Sequence, residues 1–331
     1  MKYNGRLFLI VLFLYKVVQL FRRFGLLTIL AVIGLIFVGG FVRATGAGMG
    51  CPDWPKCFGM WVPPTSVDQL PANYQEIFGA KLKGEVVFNP VKTWIEYVNR
   101  LLGVLVGFFI FLTLIFSFKA YFRTHRSVFY LSLAAFLFVL FEGWLGAKVV
   151  SSELMPGMIT IHMLGSVIIL GLLVLAILKT YFIEGLLNML SNTRDIRFLI
   201  LVSILLSIGQ ILFGTQIREG IDLAQQSLGY ENRDLWINSV LGKVNFHAFL
   251  AVLILILQIF LNTKIRNRFA GERILYFANF TSLFIVLSVA TGLFLRYLGF
   301  PAFAQPLHLT FGVVILTFQF VMLFLTKPEI A

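Results

Sequence analysis

Three histidines occupy matching settings. His162 in "TIHMLG", His247 in "VNFHAFL" and His308 in "PLHLTFG" each fall a few residues into a long apolar run. An imidazole there is either a hydrogen-bonded packing residue or a ligand, and ionisable groups in such runs are functional candidates by default. The spacing favours ligands. Gly146 precedes His162 by sixteen positions and Gly292 precedes His308 by sixteen, so both pairs are related by one offset of 146 residues. His247 has a counterpart 148 positions earlier, Asn99 in "EYVNRLLG". A G-x-x-x-R pattern recurs as well, at Gly39–Arg43, Gly214–Arg218 and Gly292–Arg296. Together these read as an internal repeat of two related halves. The fourth histidine, His125 in the basic stretch "FRTHRS", reads as solvated.

The chemistry these residues suit is haem ligation. Haem needs axial imidazoles, an apolar pocket and cations for its propionates. His247 and His308 come from one half and can face each other across an iron. The 36 phenylalanines are available to wall a pocket. Arg43, Arg218 and Arg296 are candidates for propionate contacts, although an arginine at a helix end is equally a snorkelling side chain. Zinc fits less well, because neither H-E-x-x-H nor H-x-x-E-H occurs. His162 should face position 99, where asparagine is a poor partner for haem iron. The halves are therefore expected to differ, with iron held on both faces in one and on one face in the other. Glu96 shares a helical face with Asn99 and is costly in an apolar run unless paired or functional. Arg100, four positions on, is its plain ion-pair partner. Glu142 is a second such carboxylate, with Lys148 as a structural partner.

The two cysteines, Cys51 and Cys57, lie in "GAGMGCPDWPKCFG". Their C-x5-C spacing is neither the C-x-x-C of zinc sites nor that of thioredoxin-like redox motifs. A disulfide closing a short Pro-Asp-Trp-Pro loop is the favoured reading, with a redox role as the alternative.

Long apolar segments must position all of these groups. The chain has 331 residues, of which 59% are hydrophobic and only 13% charged, about half the charge of an ordinary soluble domain. Eight spans are expected, near 24–44, 94–117, 128–149, 158–181, 197–217, 240–262, 274–296 and 303–325. The fold class is an all-α polytopic membrane protein with two pseudo-symmetric four-helix bundles. Residues 7–21 carry Lys16 and are short for a crossing, so they read as an interfacial helix or an extension of the first span. The net charge of +12 does not imply nucleic-acid binding, because the basic residues cluster in short loops between spans and so report orientation. Lys2, Arg6, Lys16, Arg22 and Arg23, then Lys119, Arg123 and Arg126, then Lys179, Arg194 and Arg197, then Lys264, Arg266, Arg268 and Arg273 all fall on one side. That side should be cytoplasmic, with both termini inside and the haem sites toward the outer face. The segments 45–93, 150–157, 218–239 and 297–302 then face outward, and a disulfide there would persist. The expected organisation is an arm at 1–23, an N-terminal half at 24–181 bearing the loop 45–93, a linker at 182–196, a C-terminal half at 197–325 and a tail at 326–331.

The stretches "VRATGAGMGCPDWPKCFG", "WIEYVNRLLG", "TIHMLG", "VNFHAFL" and "PLHLTFG" together resemble the haem A synthase family, over residues 24–325. The resemblance implies two four-helix halves in a bacterial-type plasma (inner) membrane. It implies that haem O, bound in the N-terminal half, is oxidised at its C8 methyl group to the formyl of haem A by successive hydroxylations, for terminal oxidases. It implies a haem b cofactor in the C-terminal half relaying electrons. Residue by residue, His247 and His308 match the cofactor-haem ligands, His162 one ligand of the substrate haem, and Glu96 the catalytic glutamate of an E-x-x-H-R motif. Asn99 departs from that motif. A second cysteine pair common in the family is absent from 218–239.

No flavin, nicotinamide or iron–sulfur motif is present, so a quinol or protein electron donor is implied. Besides the lipid bilayer, haem O synthase, terminal oxidase assembly proteins and a second copy of the chain (a homo-oligomer) are candidate partners. Two competing readings are a di-haem membrane cytochrome that passes electrons from quinol without modifying haem, and a repeat-built transporter.

Overall fold

A computed structural model of the protein describes residues 5–79, 88–152, 154–155, 157–229 and 232–327. Lys2 of the expected basic arm, residues 80–87 of the first long loop and 328–331 of the tail lie outside the described residues. Among the described residues, ten α-helices run in chain order: α1 (Gly5–Ala44), α2 (Tyr74–Phe78), α3 (Pro90–Tyr121), α4 (Arg126–Ser151), α5 (Met158–Ile183), α6 (Arg194–Leu228), α7 (Arg233–Ser239), α8 (Leu241–Arg268), α9 (Arg273–Tyr297) and α10 (Ala304–Leu325). No strand occurs among the described residues.

All but α2 and α7 are long and apolar enough to cross a bilayer, which gives eight candidate spans among the described residues. The protein is an all-α, multi-pass membrane protein, as the runs of apolar sequence imply. In hydrocarbon a helix satisfies its own backbone polar groups, so each run has one workable conformation.

α1 packs on α3, α3 on α4, α4 on α5, and α5 back on α1. The same ring recurs later in the chain: α6 on α8, α8 on α9, α9 on α10, and α10 back on α6. Between the two rings α1 meets α10, α5 meets α6, and α5 meets α10. Exchanging the two halves maps this set of contacts onto itself, a pattern consistent with pseudo-symmetric bundles. Their shared core includes Ile36, Ile110, Leu173, Ile200, Leu261 and Leu316.

Most of the spanning helices run a few residues past their expected bounds, and α1 and α6 run well past them. Residues 7–21 continue α1 without a break, so this segment extends the first span. Phe21 is fully buried, and Arg22 donates to Glu184 at 2.7 Å, to the Thr180 carbonyl at 2.7 Å and to the Thr180 hydroxyl at 2.9 Å, tying α1 to α5. Likewise α6 continues past Arg218 to Leu228. Ile217, Ile221 and Ala224 recur at helical spacing and pack against Trp236, Ile237 and Val240 around α7. At the opposite end of α6, Asp195 accepts from Lys264 at 2.6 Å and Arg268 at 2.7 Å on α8.

The loop before α3 forms a small capped layer. Cys51 and Cys57 are disulfide-bonded and buried with Phe58, Leu70, Tyr74 and Phe88. Asp53 accepts from the backbone N–H groups of Phe58 at 2.6 Å and Gly59 at 2.8 Å. The Thr93 hydroxyl donates to the Gly50 carbonyl at 2.8 Å. At Gly50 a side chain would run into the backbone of Lys92 and Thr93, so only glycine allows this approach.

Candidate haem-binding site

All three span histidines lie near the N-terminal ends of their helices, at the end of the molecule that carries the disulfide loop. Each imidazole edge meets a glycine on a neighbouring helix. A Cβ added at Gly146 of α4 would stand 3.7 Å from Cε1 of His162 on α5. The equivalent distance is 3.6 Å from Gly214 of α6 to His247 on α8, and 3.2 Å from Gly292 of α9 to His308 on α10. Glycine at these points lets the ring lie directly on the neighbouring helix.

A polar group stands one helical turn before each of those glycines. Ser288 is four positions before Gly292, and its carbonyl lies 2.9 Å from His308 Nδ1. The Ser288 and Thr291 hydroxyls are 3.4 Å and 3.2 Å from the same nitrogen. An Nδ1–H donated to a carbonyl leaves Nε2 as the free lone pair, the tautomer a metal ligand needs. Glu142 is four positions before Gly146, and its Oε2 lies 2.6 Å from His162 Nδ1. The Glu142 side chain is 6% exposed and neither of its oxygens has a hydrogen-bond partner among the described residues. Gln210 is four positions before Gly214. Its Nε2 donates to the His247 backbone carbonyl at 2.8 Å, while its own Oε1 and His247 Nδ1 are buried without partners among the described residues.

His247 and His308 face each other with ring centres 6.0 Å apart and planes tilted by 56°. Two imidazoles that share one ion at about 2 Å from each nitrogen have ring centres about 6 Å apart. The observed separation matches that spacing. Ile254, Ile285 and Ile315, with Leu255, Phe284 and Val289, form an apolar cluster drawn from the same helices. These residues fit a haem ligated on both faces. No group of three or more His, Cys, Asp or Glu converges among the described residues.

The remaining expected residues have other neighbours. Glu96 is buried, pairs with Arg100 at 2.5 Å, and accepts the Cys51 N–H at 2.7 Å. Arg100 also donates to the carbonyls of Cys51 at 3.0 Å, Asp53 at 2.7 Å and Lys56 at 3.0 Å. This couple clamps the disulfide loop onto α3. Asn99 beside it has a buried Oδ1 without a partner among the described residues. The expected Glu142–Lys148 pairing does not form: Glu142 meets His162, and Lys148 lies 5.9 Å over the Trp144 ring. Glu142 and Lys148 are six positions apart, which places their side chains about 120° apart around α4 rather than on one face.

Of the arginines, Arg43 and Arg218 both bind Asp222, at 2.7 Å each. Arg218 also donates to the Arg43 carbonyl at 3.1 Å. Arg296 donates to Asn245 Oδ1 at 2.9 Å and lies over Tyr297. Gln210, Ser288, Thr291 and Asp222 do not stand out in the sequence. The signal for the first two is their shared place four residues before a repeat glycine.

A family model described as cytochrome oxidase assembly protein, COX15-CtaA, matches residues 22–320. A protein named Heme A synthase from Shewanella oneidensis is 32% identical over 192 residues, covering 57% of this chain and 54% of that one. One of the same name from Bartonella tribocorum is 30% identical over 130 residues, 38% of this chain and 36% of its own length. A third, from Halalkalibacterium halodurans, is 24% identical over 322 residues, 93% of this chain and 98% of the relative. The chain thus spans about half the length or less of the first two relatives and nearly all of the third. With a family model matching from α1 into α10, the chain belongs to the COX15-CtaA family of cytochrome oxidase assembly proteins.

Proposed function

We propose that this protein is a haem A synthase, an enzyme of haem A biosynthesis in a bacterial-type inner membrane. The supporting relatives carry that name. The observation that carries the reading is the opposed pair His247 and His308, 6.0 Å apart, with His308 Nδ1 held at the Ser288 carbonyl so that Nε2 is free. In this reading the C-terminal half, 197–325, binds a b-type haem through these two side chains. When bound, that haem supplies a one-electron relay from a quinol or protein donor. The N-terminal half, 24–181, takes haem O as substrate through His162, whose ring is set by Glu142 and Gly146. The C8 methyl would be hydroxylated twice, each time with dioxygen as the external oxidant and two electrons from the donor, and the geminal diol would lose water to give the formyl of haem A.

The chain's own residues do three things here. The outer loop, pinned by the Glu96–Arg100 couple, covers the substrate half. Glu96, one helical turn before Asn99 on α3, is the proposed catalytic carboxylate. Arg296 is the most available of the three propionate candidates, because Arg43 and Arg218 already share Asp222. Both termini are proposed to be cytoplasmic, with the haem sites toward the outer face.

The test is expression with a haem O supply followed by pigment extraction. New haem A that disappears in His162→Ala supports the reading. Bound haem recovered without conversion supports a di-haem cytochrome instead, and a colourless protein removes both.

A further inference from the structure

Each ligand position in this fold is a unit of three parts. A histidine lies against a glycine on the next helix, and a polar group four residues before that glycine stands close to it. The units are His162–Gly146–Glu142, His247–Gly214–Gln210 and His308–Gly292–Ser288. The packing of α3 on α1 repeats that of α8 on α6, so a fourth unit belongs at position 99, with Gly39 and Leu35 as its glycine and its polar group. Only the glycine is there. Asn99 replaces the imidazole, and Leu35, packed in the apolar core, can neither accept nor donate a hydrogen bond. A Cβ on Gly39 meets nothing within 4 Å, whereas the other three glycines each meet a ring. The ligand and its orienting group are missing together, so position 99 is not a histidine unit with one part altered.

We propose that the first half ligates haem iron on one face only, through His162, and that the face toward Asn99 is kept open to a small exogenous ligand. This rests on the reading of His162 as a haem ligand. The open face suits a diatomic or a small neutral nitrogen or oxygen ligand, for three reasons. Nothing packs on Gly39 among the described residues. Leu35, at the position of the polar group in the other units, brings neither a charge nor a hydrogen-bonding group. The Asn99 carboxamide, with a buried oxygen that lacks a partner among the described residues, offers both a donor and an acceptor where an imidazole would have closed the coordination sphere. In the second half His247 and His308 oppose each other and would hold a haem between them.

The experiment is spectroscopy of the purified full-length protein carrying haem in both halves. Carbon monoxide is added to the reduced form and imidazole is titrated into the oxidised form. The expected result is that about half of the bound haem is high-spin and takes carbon monoxide, and that imidazole converts that half to low-spin. In Asn99→His the carbon monoxide response should disappear and the protein should become fully low-spin. The imidazole titration of the unaltered protein makes the same point without depending on the folding of a variant. A haem that depends on His162 but is low-spin and silent to carbon monoxide and imidazole overturns the open face while leaving haem binding at His162 intact. Absence of any haem that depends on His162 overturns both.

Discussion

The carboxylate of Glu142 on α4 stands 2.6 Å from Nδ1 of His162 on α5, an ion-pair distance, and neither that carboxylate nor that nitrogen has a hydrogen-bonding partner among the described residues. A buried carboxylate is costly unless paired, so the contact orients both groups. Orienting partners of this kind are worth roughly 10- to 100-fold in metal affinity. Glu142→Leu is expected to weaken haem binding at His162 by about that factor, whereas Glu142→Gln, which keeps an acceptor oxygen, should retain most of it. Haem titration in a His247→Ala/His308→Ala background reads this site alone. Equal affinity in the Leu and Gln variants would show that Glu142 does not position the ring.

Gly292 makes the closest of the glycine–imidazole contacts: a Cβ added there would stand 3.2 Å from His308 Cε1. A branched side chain must push the ring off the line toward His247. Gly292→Val should therefore remove the low-spin b-type absorption, while Gly214→Ala, at 3.6 Å from its ring, should be tolerated. The paired absorption spectra check this. Retention of the low-spin signal in Gly292→Val would mean that the two rings are held by something other than this packing.

The architecture is largely readable from sequence because hydrocarbon leaves so few options: a run of about twenty apolar residues becomes a helix. The eight spans follow from that alone. The extension of α6 past Arg218 is hidden by its polar residues. The contacts that support it, made by Ile217, Ile221 and Ala224 at helical spacing, are too sparse in sequence to separate from a loop. The histidines are legible as a set because the repeat places them. Their partners are not, because Glu142 and His162 meet across a turn between helices, and Lys148 is the nearer charge along the chain. Gln210 and Ser288 differ chemically from Glu142, so similarity along the repeat does not align them. Only their common place four residues before a glycine that meets an imidazole does.

The disulfide separates stability from chemistry. The Cys51–Cys57 loop is already held by Asp53 and by Arg100. Closing so short a loop contributes about 2–3 kcal/mol in the chain-entropy model. The Cys51→Ser/Cys57→Ser variant is expected to lose thermal stability on that scale and to keep its conversion of haem O. A variant of normal stability that no longer converts substrate would assign the pair a redox role. Gly50→Ala provides an independent probe of the same cap: its methyl meets the Lys92 backbone, and a cost of about 1–3 kcal/mol is expected, read as faster proteolysis of the loop.

Glu96 can be tested in the same frame, because its two roles predict different losses. As a clamp it neutralises Arg100 and accepts the Cys51 N–H. Removing one partner of a buried ion pair costs about 3–5 kcal/mol. Glu96→Ala should then loosen the disulfide loop, and the double variant Glu96→Ala/Arg100→Ala should recover part of that loss, since no buried charge is left alone. If Glu96 is the catalytic carboxylate, conversion should be lost in the single and the double variant alike. Limited proteolysis of the loop and haem A yield, measured on the same preparations, resolve the two. Recovery of both stability and conversion in the double variant would make Glu96 a positioning residue, acting on the site only through the loop it anchors.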